Sequence, residues 1–202
     1  MAIKTPKIYT KSQWNRLSKQ RKAVIVAADT IQWIKSGKFT PKRGVYCQLS
    51  DKIVEKPHDI RHVKNDCIGC AKGGLFYSKC MANNELDRSN LKVDYEFETK
   101  DFTTYFDPSN SLTDCFTEDE LAQIEEYFEG WVRTLDFYNG EEDWCLLFIC
   151  LHIIKNRGQV KLAELNERTA IKFHNEVVLP YVRRNRSLWR VLSKLTIVEF
   201  ME

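Results

Sequence analysis

Two cysteines three residues apart, followed by a run of small residues and a further cysteine, stand in the stretch NDCIGCAKGGLFYSKC, residues 65–80. Three chemistries suit such a pattern. Cys67-x-x-Cys70 has the spacing of half a zinc site, whose other ligands would come from Cys47, His58, His62 or Cys80. If one helix runs from Cys67, Cys80 lies about 20 Å further along its axis, so Cys47 with His58 or His62 is the freer completion, as in a Cys47, His62, Cys67, Cys70 set. A thiol at a helix N-terminus is instead activated by the free amides and the helix dipole. That reading makes Cys67 or Cys70 a nucleophile, with His62, His58 or His152 as its base, in a cysteine-dependent hydrolase. No local signature of a cysteine hydrolase surrounds them, and a redox dithiol would normally follow a βαβ pattern that is missing here. The third reading is packing. Cys70, Gly74 and Ser78 recur every four residues, with Gly69 and Gly73 one position back, and would let the apolar helix at 144–154 approach closely.

The elements that would position these residues are mostly helical. Trp14, Leu17, Val24, Ala27, Ile31 and Ile34 recur at helical spacing between Lys11 and Ser36, and Gly37 supplies a stop. A turn-rich connection then leads to a short strand at Val45–Leu49. Asp66 is an N-cap candidate for a helix over Cys67–Asn83. Val93, Tyr95 and Phe97 alternate with acidic residues as a strand would. Thr117 and Glu120 form a capping-box pair ahead of Leu121, Ile124, Phe128 and Trp131. A helix over 141–156 is apolar around most of its circumference and should be the buried centre of the fold. Further helices are expected over Asn166–Val178, ended by Pro180, and over Ser187–Leu195. The expected fold class is mainly α, an α-rich α+β domain. About five to six helices surround the central helix, with a small β element, in one globular domain 1–202 whose weaker lobe is 84–113.

Charge is segregated along the chain. Residues 1–72 carry sixteen Lys or Arg against five Asp or Glu, and residues 73–145 carry five against eighteen, while the whole chain is only +3. Either the blocks neutralise each other in the fold or they persist as separate surfaces that steer partners. In the second case Asp94, Glu96, Glu98, Asp119 and Glu126 form an acidic surface, and Lys38, Lys42 and Arg43 an opposite basic one. The later tract VRRNRSLWR adds arginines beside Trp189, a combination that could follow a phosphate backbone and stack on a base. Seven cysteines, an odd number, with no apolar leader read as reduced thiols in a cytosolic protein. The longest apolar run, Trp144–Ile154, is far short of the ~20 residues of a membrane span, and no nucleotide-binding glycine loop is present.

In order along the chain, the pieces VIVAADTIQWIKSGKFTPKRGVYC, CIGCAKGGLF, FTEDELAQIEEYFEG and LHIIKNRGQ cover roughly residues 23–158. In that combination the chain resembles a group of small uncharacterised proteins of tailed bacteriophages and prophages. Cys70, Ala71 and Gly73 match the recurrent part of the central piece, and Asp29 matches an acidic position of the first helix. The resemblance implies a setting, the bacterial host's cytoplasm, and no reaction or cofactor. It implies an accessory protein that binds and inhibits or redirects a host protein, such as a component of a defence system. A nucleic-acid-binding accessory protein is the alternative of a different class.

Overall fold

The computed structural model describes residues 9–44, 47–48, 67–83, 112–130 and 142–193. The first amphipathic stretch is two helices, α1 (Lys11–Asn15) and α2 (Lys19–Ser36), where one was expected. Local chemistry makes the break: the Ser18 hydroxyl accepts from the Arg21 amide at 3.2 Å and starts a new helix. Thr10 caps α1 in the same way, with Gln13 reaching back to close the box. At the other end Gly37 adopts φ 67°, the left-handed conformation that terminates α2 as its sequence position foretold. Along α2, Ala23, Val26, Ala27, Thr30, Ile31 and Ile34 are buried, and this stripe is the floor on which the other elements pack.

The small β element is a three-stranded mixed sheet of β1 (Phe39–Pro41), β2 (Cys47–Gln48) and β3 (Cys67–Gly69), in the order β1-β3-β2. β3 runs parallel to β1 and antiparallel to β2. Two expectations change here. Residues 39–41 lie in a strand, where a turn was read; Pro41 is tolerated because β1 is an edge, and the Lys42 amide continues the pairing to Gly69 O at 2.8 Å. Cys67–Gly69 is also strand, so α3 runs from Ala71 to Asn83 and does not begin at Cys67. Pairing on both sides of β3 outweighs the local signal of Asp66 as a cap, a tertiary override that no window of neighbouring residues reports.

Thr117 and Glu120 form the expected capping box, Glu120 Oε2 accepting from Thr117 N at 2.8 Å and Thr117 Oγ1 from Glu120 N at 3.1 Å. The helix they start, α4 (Glu118–Gly130), buries Leu121, Ile124, Tyr127 and Phe128. Next comes α5 (Glu142–Lys155), with Trp144 to Ile153 buried on every side, the central helix the sequence predicted. Its exit is tight. Gly158 sits at φ 93°, and a Cβ there would lie 2.1 Å from the Gln20 carbonyl oxygen, so only glycine lets this turn close onto the start of α2.

Beyond a short 3-10 turn (Leu162–Glu164), α6 (Glu167–Phe173) widens into one π-helical turn (His174–Val178) and continues as α7 (Leu179–Arg184). Pro180 therefore does not end the helix, because its missing N–H falls where the widened turn has already broken the regular ladder. A final helix, α8 (Arg186–Ser193), buries Leu188 and Leu192; Leu195 is outside the described residues. The class is thus an α-rich α+β fold. The weaker lobe at 84–113, with the strand read at Val93–Phe97, falls outside the described residues except Leu112 and Thr113.

Candidate functional site

Cys70 occupies the residue before α3, with its carbonyl accepting from Gly74 N at 3.0 Å. Its thiol is within reach of the Gly73 and Lys72 amides, the arrangement that activates a helix-start cysteine. Burial wins nonetheless, pushing the thiol up to about 11 against the pull of those amides, with Glu129 and Glu125 adding to the rise. At neutral pH this sulfur carries its proton. Cys67 is not at a helix start, so the dipole argument for it falls with the strand assignment. The sheet register sets Cys47 opposite Gly69, the residue before Cys70, while Cys67 stands at the other end of β3 opposite Phe39. His58, His62 and the side chains of Cys47 and Cys67 lie outside the described residues, and among those described no three His, Cys, Asp or Glu side chains gather around one point.

Two histidines of the helical core are placed elsewhere. His152 lies between Phe148 and Phe173 with the Asn156 amide 3.1 Å from Nε2, and His174 packs on Trp144. Burial holds both down at about 4, so both are neutral core residues at pH 7.

The small residues of α3 do serve close packing, with a different neighbour from the one expected. Thr30 Oγ1 donates to Ser78 Oγ at 2.8 Å, which places α2 along the stripe. A Cβ on Gly74 would meet the Phe39 ring at 2.9 Å and Leu146 at 3.4 Å, so α5 reaches this helix through Leu146 while the ring of Phe39 fills the notch.

Several of the charged residues bind across the fold. Lys72 pairs with Glu125, Arg43 Nε donates to Phe128 O at 3.1 Å, and Gly44 N approaches Glu129 at 3.3 Å. Lys22 and Lys79 both reach Asp114, at 3.1 and 3.2 Å. Residues from the basic block thus neutralise residues of the acidic one, and Arg43 is an anchor between β1 and α4 with its Nη2 buried, not the open surface cation it was read as. Lys38 lies over the Trp33 ring at 5.5 Å and is half-buried. Lys42, Asp119 and Glu126 are exposed, and Glu118 is exposed beside them; Asp94, Glu96 and Glu98 are outside the described residues.

Two carboxylates, one buried and one half-buried, were not singled out for their surroundings. Asp29 is buried, accepts from Trp33 Nε1 at 2.7 Å through Oδ2, and leaves Oδ1 without a hydrogen-bond partner. Asp114 accepts from Trp14 Nε1 at 2.7 Å as well as from both lysines. The first had a readable signal, an acid within the buried stripe of α2 four residues before a tryptophan. The second had none, since its lysines lie far away in sequence. No protein-family model, curated protein or solved structure matches the chain.

Proposed function

We propose that this protein acts by binding, as a phage-type accessory protein that engages a basic surface on a host bacterial protein and so inhibits or redirects it. The observation that carries the reading is the outward face of α4. Glu118, Asp119 and Glu126 are exposed there on a helix whose opposite side is locked into the core by Leu121, Ile124 and Phe128. Glu118 and Asp119 complement the positive end of the helix dipole, but Glu126 lies beyond that first turn and the three like charges repel one another, which suits complementarity to a partner and fast, steered association. The neighbouring acids Glu125 and Glu129 are already engaged by Lys72 and by the Arg43–Gly44 turn, so the free acidic face is narrow and defined. The expected setting, the host's cytoplasm, is what the resemblance to phage and prophage proteins implies. A cysteine-dependent hydrolase is the weaker reading, because the Cys70 thiol is buried and protonated at neutral pH.

The test is capture of a host protein by the tagged full chain from a nuclease-treated bacterial lysate, repeated with a Glu118→Lys, Asp119→Lys, Glu126→Lys variant. The reading expects a saturable, stoichiometric protein that survives nuclease and is lost by at least tenfold in the reversed variant. Equal capture by the variant, or no stoichiometric protein at all, would sink it.

A further inference from the structure

We infer that the corner between α7 and α8 is a contact surface for single-stranded nucleic acid, separate from the acidic face of α4. Asn185 closes α7 with its side-chain amide donating to Tyr181 O at 2.7 Å, and its own carbonyl accepts from Trp189 N at 2.9 Å to open α8. The turn is therefore hydrogen-bonded from both sides. Leu188 and Leu192 are fully buried, which pins one side of α8 to the core and by helical spacing turns Arg186 and Trp189 to the other. Arg183, Arg184 and Arg186 are all exposed around that turn.

Trp189 is 47% exposed, the one large apolar side chain so placed among the described residues. Chain composition sharpens the point: between Val177 and Val198 there are four arginines and a lysine and not one Asp or Glu. Within it Arg183, Arg184 and Arg186, all exposed and with no acid between Val177 and Trp189, form a local cationic surface on a chain whose net charge is only +3. An exposed flat ring on the same corner as three exposed arginines matches the two faces of an unpaired nucleotide. The base stacks on the indole while the phosphates on either side meet arginines, which suit them through planar, forked donors. A duplex keeps its base faces stacked and offers the ring nothing. An acidic protein surface would use the arginines and leave the indole idle.

The deciding measurement is fluorescence anisotropy of a labelled fifteen-residue oligothymidylate with the full chain, at about 50 and about 200 mM salt. A duplex of equal length and heparin serve as competitors. The expected result is binding that weakens with salt, with a log–log slope of about −2 if the three described arginines each meet one phosphate. Trp189→Ala should weaken it roughly 5- to 150-fold, the range of one lost base stack, while Trp189→Phe keeps most of it. Reversing Arg183, Arg184 and Arg186 to Glu should abolish it. The inference is overturned by an absence of binding at low salt, by a Trp189→Ala protein that binds as the native chain does, or by duplex or heparin competing better than the single strand. Because Trp189 is exposed, its loss should leave the far-ultraviolet circular dichroism unchanged, and the phenylalanine variant keeps the test decisive if it does not. Failure here leaves the α4 face untouched, since that capture is read after nuclease treatment.

Discussion

Two carboxylates, Asp29 and Asp114, each accept an indole N–H at 2.7 Å, yet their pKa values are shifted in opposite directions. Burial pushes Asp29 up to about 7, and the Trp33 bond only partly opposes that. Burial also raises Asp114, but the Trp14 bond, the charge of Lys79 and the Lys22 and Cys115 bonds together hold it below the ordinary carboxylate range. The shared hydrogen bond cannot explain the difference. What decides it is the second oxygen, which meets Lys79 at 3.2 Å in Asp114 and no hydrogen-bond donor in Asp29. A single neutral donor does not offset the loss of water around a buried charge, whereas cations can.

The sharpest way to break this contrast is Asp114→Ala, which leaves Lys22 and Lys79, both buried, without the carboxylate they share. A loss of about 3 kcal/mol is expected, at the low end for a broken buried pair because Asp114 is itself a third exposed, and a urea midpoint at pH 7 measures it. The Asp114 contribution is present above the ordinary carboxylate pKa and fades as pH falls through its lowered folded value, so the two proteins should converge in acid.

Asp29→Asn should act in the other direction. A folded pKa raised above the unfolded one means that the native state binds more protons between about pH 4 and pH 7. Native stability therefore declines as pH rises across that window, and the full cost is present above it. The amide cannot ionise, so the variant should gain on the order of a few kcal/mol above pH 7, and the gain should vanish towards pH 4. A gain independent of pH would show that it does not come from removing the Asp29 charge, and no gain above pH 7 would show that the charge is satisfied by something other than Trp33.

The smallest effect is expected for Lys79→Met. Asp114 keeps Lys22 and Trp14, and the methionine fills a similar volume in the apolar surroundings of α3. The change should be about 1 kcal/mol or less in the same urea series. A loss as large as that of Asp114→Ala would mean that Lys79, not the shared carboxylate, organises this corner.

What could be read from the chain follows the reach of each interaction. The Thr117–Glu120 box, the left-handed Gly37 and the buried circumference of the 142–155 helix depend on residues within a turn or two, and each appears where the sequence placed it. The break at Ser18 was equally local but was overrun by an apolar period that continues through it. The strand at Cys67–Gly69 was missed because its partners are Phe39–Pro41 and Cys47–Gln48, segments some twenty or more residues distant. The same distance hid the ion pairs. Segregated charge blocks were visible, but not that Lys22 would meet Asp114 or that Arg43 would be drawn into an anchor on α4.

By itself, then, the sequence determined the helical class, the central helix and most helix ends, because periodicity, caps and composition act over a few residues. Only the tertiary structure decided that Cys70 would be a protonated packing residue, that Asp29 would strand an oxygen in the core while Asp114 gathered two lysines, and that Trp189 would be left exposed. The ionisation of a side chain depends on the water it has lost and the charges that replace it, and both are set by segments that the chain brings together from far apart.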